Sequence, residues 1–257
     1  MIDLHAHILP DMDDGSDDWR QSLEMARMAL DGGVDTMIVT PHANLPGMFE
    51  NYYDEKWQRC FEDFRQMLAD YHLPLRVFPG MEVYGTDEVP MLLRDGRLLT
   101  LNNSRYMLIE FSFYEDPEWI SELLGELRDM GVVPIIAHPE RYTFVRDDPT
   151  VAYDWVRAGC LIQVNKGSLL GRFGRSAESM AHRLISHRLV HAVASDAHSH
   201  IERTPYMMDV FKYLSKTFSE DCARRLTKHI PLCILTDAPV EAPAPIPFES
   251  TDGEWGR

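Results

Sequence analysis

Cysteine is scarce and scattered: four in 257 residues, Cys60, Cys160, Cys222 and Cys233, with no close pair of the kind that builds a structural zinc site. Reduced, structurally ordinary thiols are the expectation. None is followed six residues later by arginine, which excludes a loop in which a cysteine nucleophile and an arginine share one phosphate. Also missing is any uninterrupted apolar run of membrane-spanning length, and the amino end lacks a basic segment followed by an apolar stretch. The protein is therefore expected to be cytoplasmic and not to insert into a membrane. Basic residues are outnumbered, 25 Lys and Arg against 41 Asp and Glu, for a formal charge of −16. Phosphate backbones and anionic lipids attract basic faces, so broad contact with nucleic acid is not expected. An anionic ligand would need local positive charge, supplied by bound cations or a few well-placed arginines.

The chain has a hydrophobic fraction of 45%, enough for a substantial core, and a repeated alternation of strand and helix patterns. Ile2-Asp3-Leu4 reads as the tail of a short buried strand. Further strands are expected over 34–40, 75–78, 106–109, 132–137, 161–165 and 190–194. Between them, helical spacing of apolar residues predicts helices over 19–30, 51–71, 119–130, 151–158 and 177–187, and Met207, Val210, Phe211 and Leu214 mark another. Gly32-Gly33 and Gly131 supply stop signals for two of them. Trp57, Phe61, Phe64 and Leu68 share one helix face and read as core packing. Such alternation implies a parallel sheet, either closed as a barrel or open and doubly wound. Residues 238–257 carry Pro239, Pro243, Pro245 and Pro247 among small and acidic residues, and are expected to form a disordered tail.

The chemistry-bearing residues sit at one kind of place. His5, His7, His42, Glu82, Glu110, His138, Asp196 and His198 all lie at or just beyond the carboxyl ends of expected strands. In a parallel barrel those ends converge on one face, where catalytic groups gather. Alternate side chains of a strand share a face, so His5 and His7 can aim at one point, and Asp14 in the acidic turn Asp11-Met12-Asp13-Asp14-Gly15 can add hard oxygen. Glu82, just after Gly80, could equally serve a turn. Glu110, embedded in Leu108-Ile109-Glu110-Phe111, could not: a carboxylate in an apolar strand costs several kcal/mol unless paired or bound to a cation. Jointly these residues point to a metal centre.

His5-Ala6-His7, Asp14, Thr40-Pro41-His42, Glu82, Glu110, His138 and Ser195-Asp196-Ala197-His198 resemble, in order and spacing, the successive motifs of the polymerase and histidinol phosphatase (PHP) superfamily. Within it, Asp13-Asp14-Gly15, Leu108-Ile109-Glu110-Phe111, Ala137-His138-Pro139-Glu140-Arg141 and Ala194-Ser195-Asp196 resemble the bacterial manganese-dependent protein tyrosine phosphatases of capsule and exopolysaccharide operons. The match runs from Met1 to about Phe218. It implies an α/β fold, a distorted seven-stranded (β/α)7 TIM-like barrel, here a single domain over 1–237. It also implies three divalent ions, manganese first, with iron, zinc, magnesium or cobalt as alternatives. By the same resemblance the metal ligands are His5, His7, Asp14, His42, Glu82, Glu110, His138, Asp196 and His198, and Arg141 and Arg203 bind phosphate. The implied partner is a phosphotyrosine protein, the tail of a bacterial tyrosine autokinase that controls polysaccharide export. The chain departs from several relatives in having Ala43 where they place a histidine or basic residue, and in its proline-rich tail.

Such a site would hydrolyse a phosphate monoester by lowering the pKa of bound water from about 15.7 towards ~7, giving a hydroxide nucleophile, while the ions neutralise charge on the phosphoryl oxygens. Glu110 is the candidate bridging carboxylate, Asp196 the other catalytic carboxylate, and Arg141 and Arg203 the clamp on the non-bridging oxygens. His42 and Asp196 are both open as proton donors to the leaving group. Other readings stand beside this one. A small-molecule phosphatase acting on histidinol phosphate would use the same groups. A metal-stabilised binding module without activity would normally have lost ligands. An amidohydrolase commonly needs a metal-bridging lysine, and Lys166 follows Asn165 on what should be the opposite face.

Overall fold

The computed structural model describes residues 1–248. Strand β1 (Ile2–Asp3) leads through the acidic turn to helix α1 (Trp19–Asp31) and strand β2 (Thr36–Val39). Strand β3 (His42–Ala43), helix α2 (Glu55–Asp70), strands β4 (Arg76–Pro79) and β5 (Glu82–Tyr84) and helix α3 (Val89–Arg94) follow. Then come β6 (Tyr106–Glu110), α4 (Pro117–Asp129), β7 (Val133–Ala137), α5 (Thr143–Asp147), α6 (Thr150–Arg157) and β8 (Leu161–Asn165). The described elements end with α7 (Lys166–Leu169), α8 (Arg175–Ser186), β9 (Ala192–Ala194), α9 (Met208–Thr217), α10 (Glu220–Arg224) and α11 (Ile230–Leu235).

All strand pairs are parallel, in the orders β1-β2-β4 and β3-β5-β6-β7-β8-β9. The two sheets belong to one wall. After β2 the chain passes Pro41, which has no N–H to give a ladder, and resumes as β3; after β4 it passes Gly80-Met81 and resumes as β5. Treating each interrupted pair as one stave gives seven, and the ends of the wall meet where Ala6 bridges Ala197 in parallel. There the His7 N–H donates to the Ala197 carbonyl at 2.8 Å and the Asp196 N–H to the His5 carbonyl at 2.9 Å. The fold is the expected distorted α/β barrel.

Alternation along the staves divides the core. Tyr106 and Leu108 of β6 join Ile135 and Ala137 of β7, Leu161 of β8 and Ala192 of β9 in one buried cluster, closed below by Ile230 and Ile234 of α11. Met107, Ile109, Ile136, Ile162 and Val164 face the surrounding helices in the other. The inward row of β6 therefore ends in Glu110, that of β8 in Gln163 and Asn165, and that of β9 leads to Asp196. Trp57, Phe61, Phe64 and Leu68 are buried on α2, as core packing requires.

Local chemistry sets where the helices start. The Asp18 carboxylate accepts from the Gln21 N–H at 2.8 Å and caps α1. Asp54 does the same for α2, accepting from Trp57 N–H at 2.9 Å, so that helix begins at Glu55 rather than at residue 51. Asp116 caps α4, with Pro117 at its first turn.

Up to Phe248, the proline-rich segment is extended along the surface. Ala238 receives a 2.7 Å hydrogen bond from the Tyr106 hydroxyl, the Ile246 N–H donates to the His187 carbonyl at 2.9 Å, and the Phe248 ring stacks on that of His187 at 3.9 Å. The rest of the segment expected to be disordered, 249–257, lies outside the described residues. Among the described residues, no helix is long and apolar enough to cross a membrane.

Candidate metal centre

The barrel brings the nine candidate ligands together at the carboxyl ends of its staves. His5 and His7 follow β1, Asp14 lies on the acidic turn, His42 opens β3, Glu82 opens β5 and Glu110 ends β6. His138 follows β7, and Asp196 and His198 follow β9. Two of these positions need backbone that L-residues avoid: His138 has φ 38° and Asp196 φ 49°. Left-handed geometry of this kind costs on the order of 1–2 kcal/mol each, and here it turns both side chains inward.

Glu82 is the hub. Its Oε2 lies 3.1 Å from His5 Nε2, 3.2 Å from His7 Nε2 and 3.1 Å from His42 Nδ1, and its Oε1 lies 2.9 Å from His138 Nε2. At 1% exposure it has no surface-turn role. Glu110 presents one oxygen to each of two imidazoles, Oε1 at 3.0 Å from His42 Nδ1 and Oε2 at 3.7 Å from His138 Nε2. Asp14, half exposed, faces His42 at 3.4 Å and His198 at 3.2 Å. Asp196 Oδ1 lies 3.5 Å from His5 Nε2 and 3.6 Å from His7 Nε2. Arg141 and Arg203 both reach the Asp196 carboxylate, Arg141 at 3.7 Å, and their side chains remain partly open to solvent.

A second ring of residues, not legible as functional in the sequence, decides which imidazole nitrogen faces the cluster. A carboxylate or carbonyl oxygen can only accept, so its histidine partner must donate. His7 Nδ1 donates to Asp13 Oδ2 at 2.6 Å, His5 Nδ1 to Gln163 Oε1 at 2.9 Å and His198 Nδ1 to the Asp196 carbonyl at 3.1 Å. In the neutral imidazole all three then present an Nε2 lone pair to the cluster. Gln163 in turn donates to Asn165 Oδ1 at 2.8 Å, and the Asn165 amide donates to Asp196. One hydrogen-bonded chain thus runs from His5 to Asp196. Glu140, fully buried beside Arg141, ties the turn after β7 to the end of β8 and to α7 by accepting from the Asn165 N–H at 3.0 Å and the Ser168 hydroxyl at 2.6 Å. Lys166 stays out of the cluster: it is buried, and Nζ donates to the Tyr206 carbonyl at 2.5 Å.

The carboxylates and imidazoles of the cluster hold one another in their charged forms. Burial disfavours the His42 cation, yet Glu82, Asp14 and Glu110 outweigh it and push the pKa up to about 12. His5 is likewise buried, but Glu82 and Asp196 raise it to about 9. Burial and the neighbouring His7 push His198 down to about 4. Despite burial, Glu82 is held well below the usual carboxylate range by His5 and His42, and Asp196 by His5 and Arg203.

These residues fit divalent cations. His42 Nδ1, Glu82 Oε2, Asp196 Oδ1 and His198 Nε2 are buried polar atoms that make no well-aligned hydrogen bond and meet only the facing charged groups of the cluster. Such atoms are costly unless something else satisfies them. Four sets of donors, each with its ligand atoms within 4.8 Å of one another, overlap through shared residues: His7, Asp14, His42 and His198; His5, His7 and Asp196; His5, Glu82 and His138; His42, Glu82 and Glu110. Mixed imidazole and carboxylate donors suit manganese, iron or zinc better than magnesium or calcium.

Over 234 residues the chain is 38% identical to tyrosine-protein phosphatase YwqE of Bacillus subtilis (strain 168), covering 91% of each. It is 31% identical over 242 residues to tyrosine-protein phosphatase CpsB of Streptococcus pneumoniae, covering 92% of this chain and 99% of the relative. Its structure matches a chain from the crystal structures of YwqE and CpsB, metal-dependent tyrosine phosphatases, with a TM-score of 0.91 and 36% identity over 97% of this chain and 100% of the other. Matched along residues 1–236 by the family of capsular polysaccharide synthesis proteins CpsB/CapC, the chain belongs to that family.

Proposed function

We propose that the protein is a metal-dependent protein tyrosine phosphatase. The observation that carries this reading is the convergence of five imidazoles and four carboxylates into overlapping donor sets, with two arginines at their edge. His5, His7, Asp14, His42, Glu82, Glu110, His138, Asp196 and His198 would hold the ions, proposed to be three and to be manganese. Bound there, divalent cations would supply Lewis acidity, lowering the pKa of water and neutralising charge on the phosphoryl oxygens.

The chain's own residues do the rest. Asp13, Gln163 and the Asp196 carbonyl keep three histidines in the tautomer that offers Nε2. Glu110 aims its two oxygens at two different histidines, the arrangement a bridging carboxylate needs. Arg141 and Arg203 provide paired N–H donors that match the geometry of phosphoryl oxygens, and their partial exposure leaves them accessible to a side chain entering from solvent. A phenolate leaving group, with a conjugate-acid pKa near ~10, asks less of a proton donor than an alkoxide does.

The relatives YwqE and CpsB carry the name tyrosine-protein phosphatase, which supports phosphotyrosine over histidinol phosphate as the substrate. The tail of a bacterial tyrosine autokinase acting in polysaccharide export is the proposed partner, and the cytoplasm the proposed location. The test is direct competition. Manganese-loaded protein should release phosphate from a phosphotyrosine peptide with a kcat/KM well above that for histidinol phosphate; the reverse preference would sink the assignment.

A further inference from the structure

Between α7 and α8 the chain runs through Gly171-Arg172-Phe173-Gly174, and both glycines are left-handed, φ +72° and φ +87°. This turn folds Phe173 back over α7. A Cβ added at Gly167 would lie 2.7 Å from the Phe173 ring, so the helix carries glycine where the ring rests on it. The ring faces the arginines at the edge of the metal centre. Its centroid is 4.6 Å from Cζ of Arg141 and 5.9 Å from Cζ of Arg203. Arg141 Cζ also lies 4.8 Å over the Phe113 ring, so that guanidinium contacts two rings. Among the rings of the described residues Arg203 meets Phe173 alone.

Arginine is a long, flexible side chain, and at 22% and 29% side-chain exposure neither guanidinium is fixed by burial. Each touches Asp196, and Arg203 Nε also donates to the Asp196 carbonyl at 3.2 Å. An aromatic face attracts a guanidinium and fixes its plane, which sets the direction of its N–H donors. One ring contacting both arginines fixes them relative to each other.

We infer that Phe173 is a positioning residue that makes Arg141 and Arg203 a single phosphate clamp; this rests on the phosphatase reading above. The ring acts through its π face, so volume alone does not replace it. The test uses the manganese-loaded full chain with inorganic phosphate as the probe, titrated calorimetrically, beside steady-state hydrolysis of p-nitrophenyl phosphate. Phe173→Leu should weaken phosphate binding about tenfold and raise KM in parallel, with kcat changed much less and the thermal midpoint unchanged. Phe173→Tyr, which keeps the π face, should restore both. Unchanged phosphate affinity in Phe173→Leu, or equal loss in Phe173→Tyr, would overturn the inference. If the unaltered protein binds phosphate but hydrolyses no aryl phosphate, the phosphatase reading fails, while the phosphate titration still decides the role of Phe173.

Discussion

Asp13 and His7 form the tightest orienting pair around the metal centre: Asp13 Oδ2 accepts from His7 Nδ1 at 2.6 Å, and the same oxygen accepts from the His42 N–H at 2.8 Å. Burial opposes the Asp13 charge, but His7 and His42 overcome it and keep the carboxylate ionised. One side chain thus orients two of the proposed ligands. Asp13→Ala should weaken manganese binding roughly 10–100-fold, the usual weight of such an outer partner. Asp13→Asn, which retains an acceptor oxygen, should lose less. Calorimetric titration of metal into the chelated proteins reads the difference, and equal affinity in all three would refute the role.

The turn that carries Asp13 and Asp14 closes on Gly15. A Cβ at that position would lie 2.2 Å from the His7 carbonyl oxygen and 2.4 Å from its Cβ, neither of which can yield cheaply. Gly15→Ala should therefore push the acidic turn off His7. The expected result is a loss of metal affinity at least as large as that of Asp13→Ala, with a lowered thermal midpoint. Wild-type values for both would show that the turn is not held there.

The sequence disclosed the barrel and the candidate ligands more readily than their supports. Strand-helix alternation is a period change that apolar residues report directly, and it placed His138 and Asp196 at strand ends. Strands β3 and β5 are two and three residues long and follow Pro41 and Gly80-Met81, so no alternation could develop within them. For that reason the strand pattern alone leaves a turn role open for Glu82, although it lies at the centre of the cluster. Gln163 and Asn165 did leave a signal: two polar residues on one face of an otherwise apolar strand, the same anomaly that singled out Glu110. Asp13 was masked by the neighbouring acids, which share its composition but not its position. Phe113 and Phe173 stand alone on loops, where no periodicity relates them to the arginines they touch.

Glu140 is a second buried support with a separable role. Burial raises its pKa, and its Oε1 serves Asn165 and Ser168 while Oε2 has no hydrogen-bond partner. Glu140→Gln keeps an acceptor for both donors and should fold with little loss. Glu140→Ala leaves them unpaired in the interior and should cost about 2 kcal/mol in chemical denaturation. Similar stabilities for the two variants would contradict this.

His191 makes the fold sensitive to acid away from the metal centre. It is 4% exposed, Nδ1 accepts from the Ile162 N–H at 3.2 Å, and burial, with Arg225 nearby, pushes its pKa from 6.5 down to about 4. The unfolded chain therefore binds a proton that the folded chain refuses between those values. Stability is full above pH 6.5 and is lost as pH falls towards 4, by at most about 3 kcal/mol. Denaturation midpoints measured across that window should fall in the native protein and fall less in His191→Asn. Parallel curves would remove His191 as the cause.

The most direct test is phosphate release from a phosphotyrosine peptide, measured alongside bound metal on one preparation before chelation, after exhaustive chelation and after readdition of manganese. Activity should disappear as the metal is removed and return with it, and Asp196→Ala should stay inactive in all three states while remaining folded. Undiminished hydrolysis by the metal-free protein would contradict the assignment of these imidazoles and carboxylates as a metal centre.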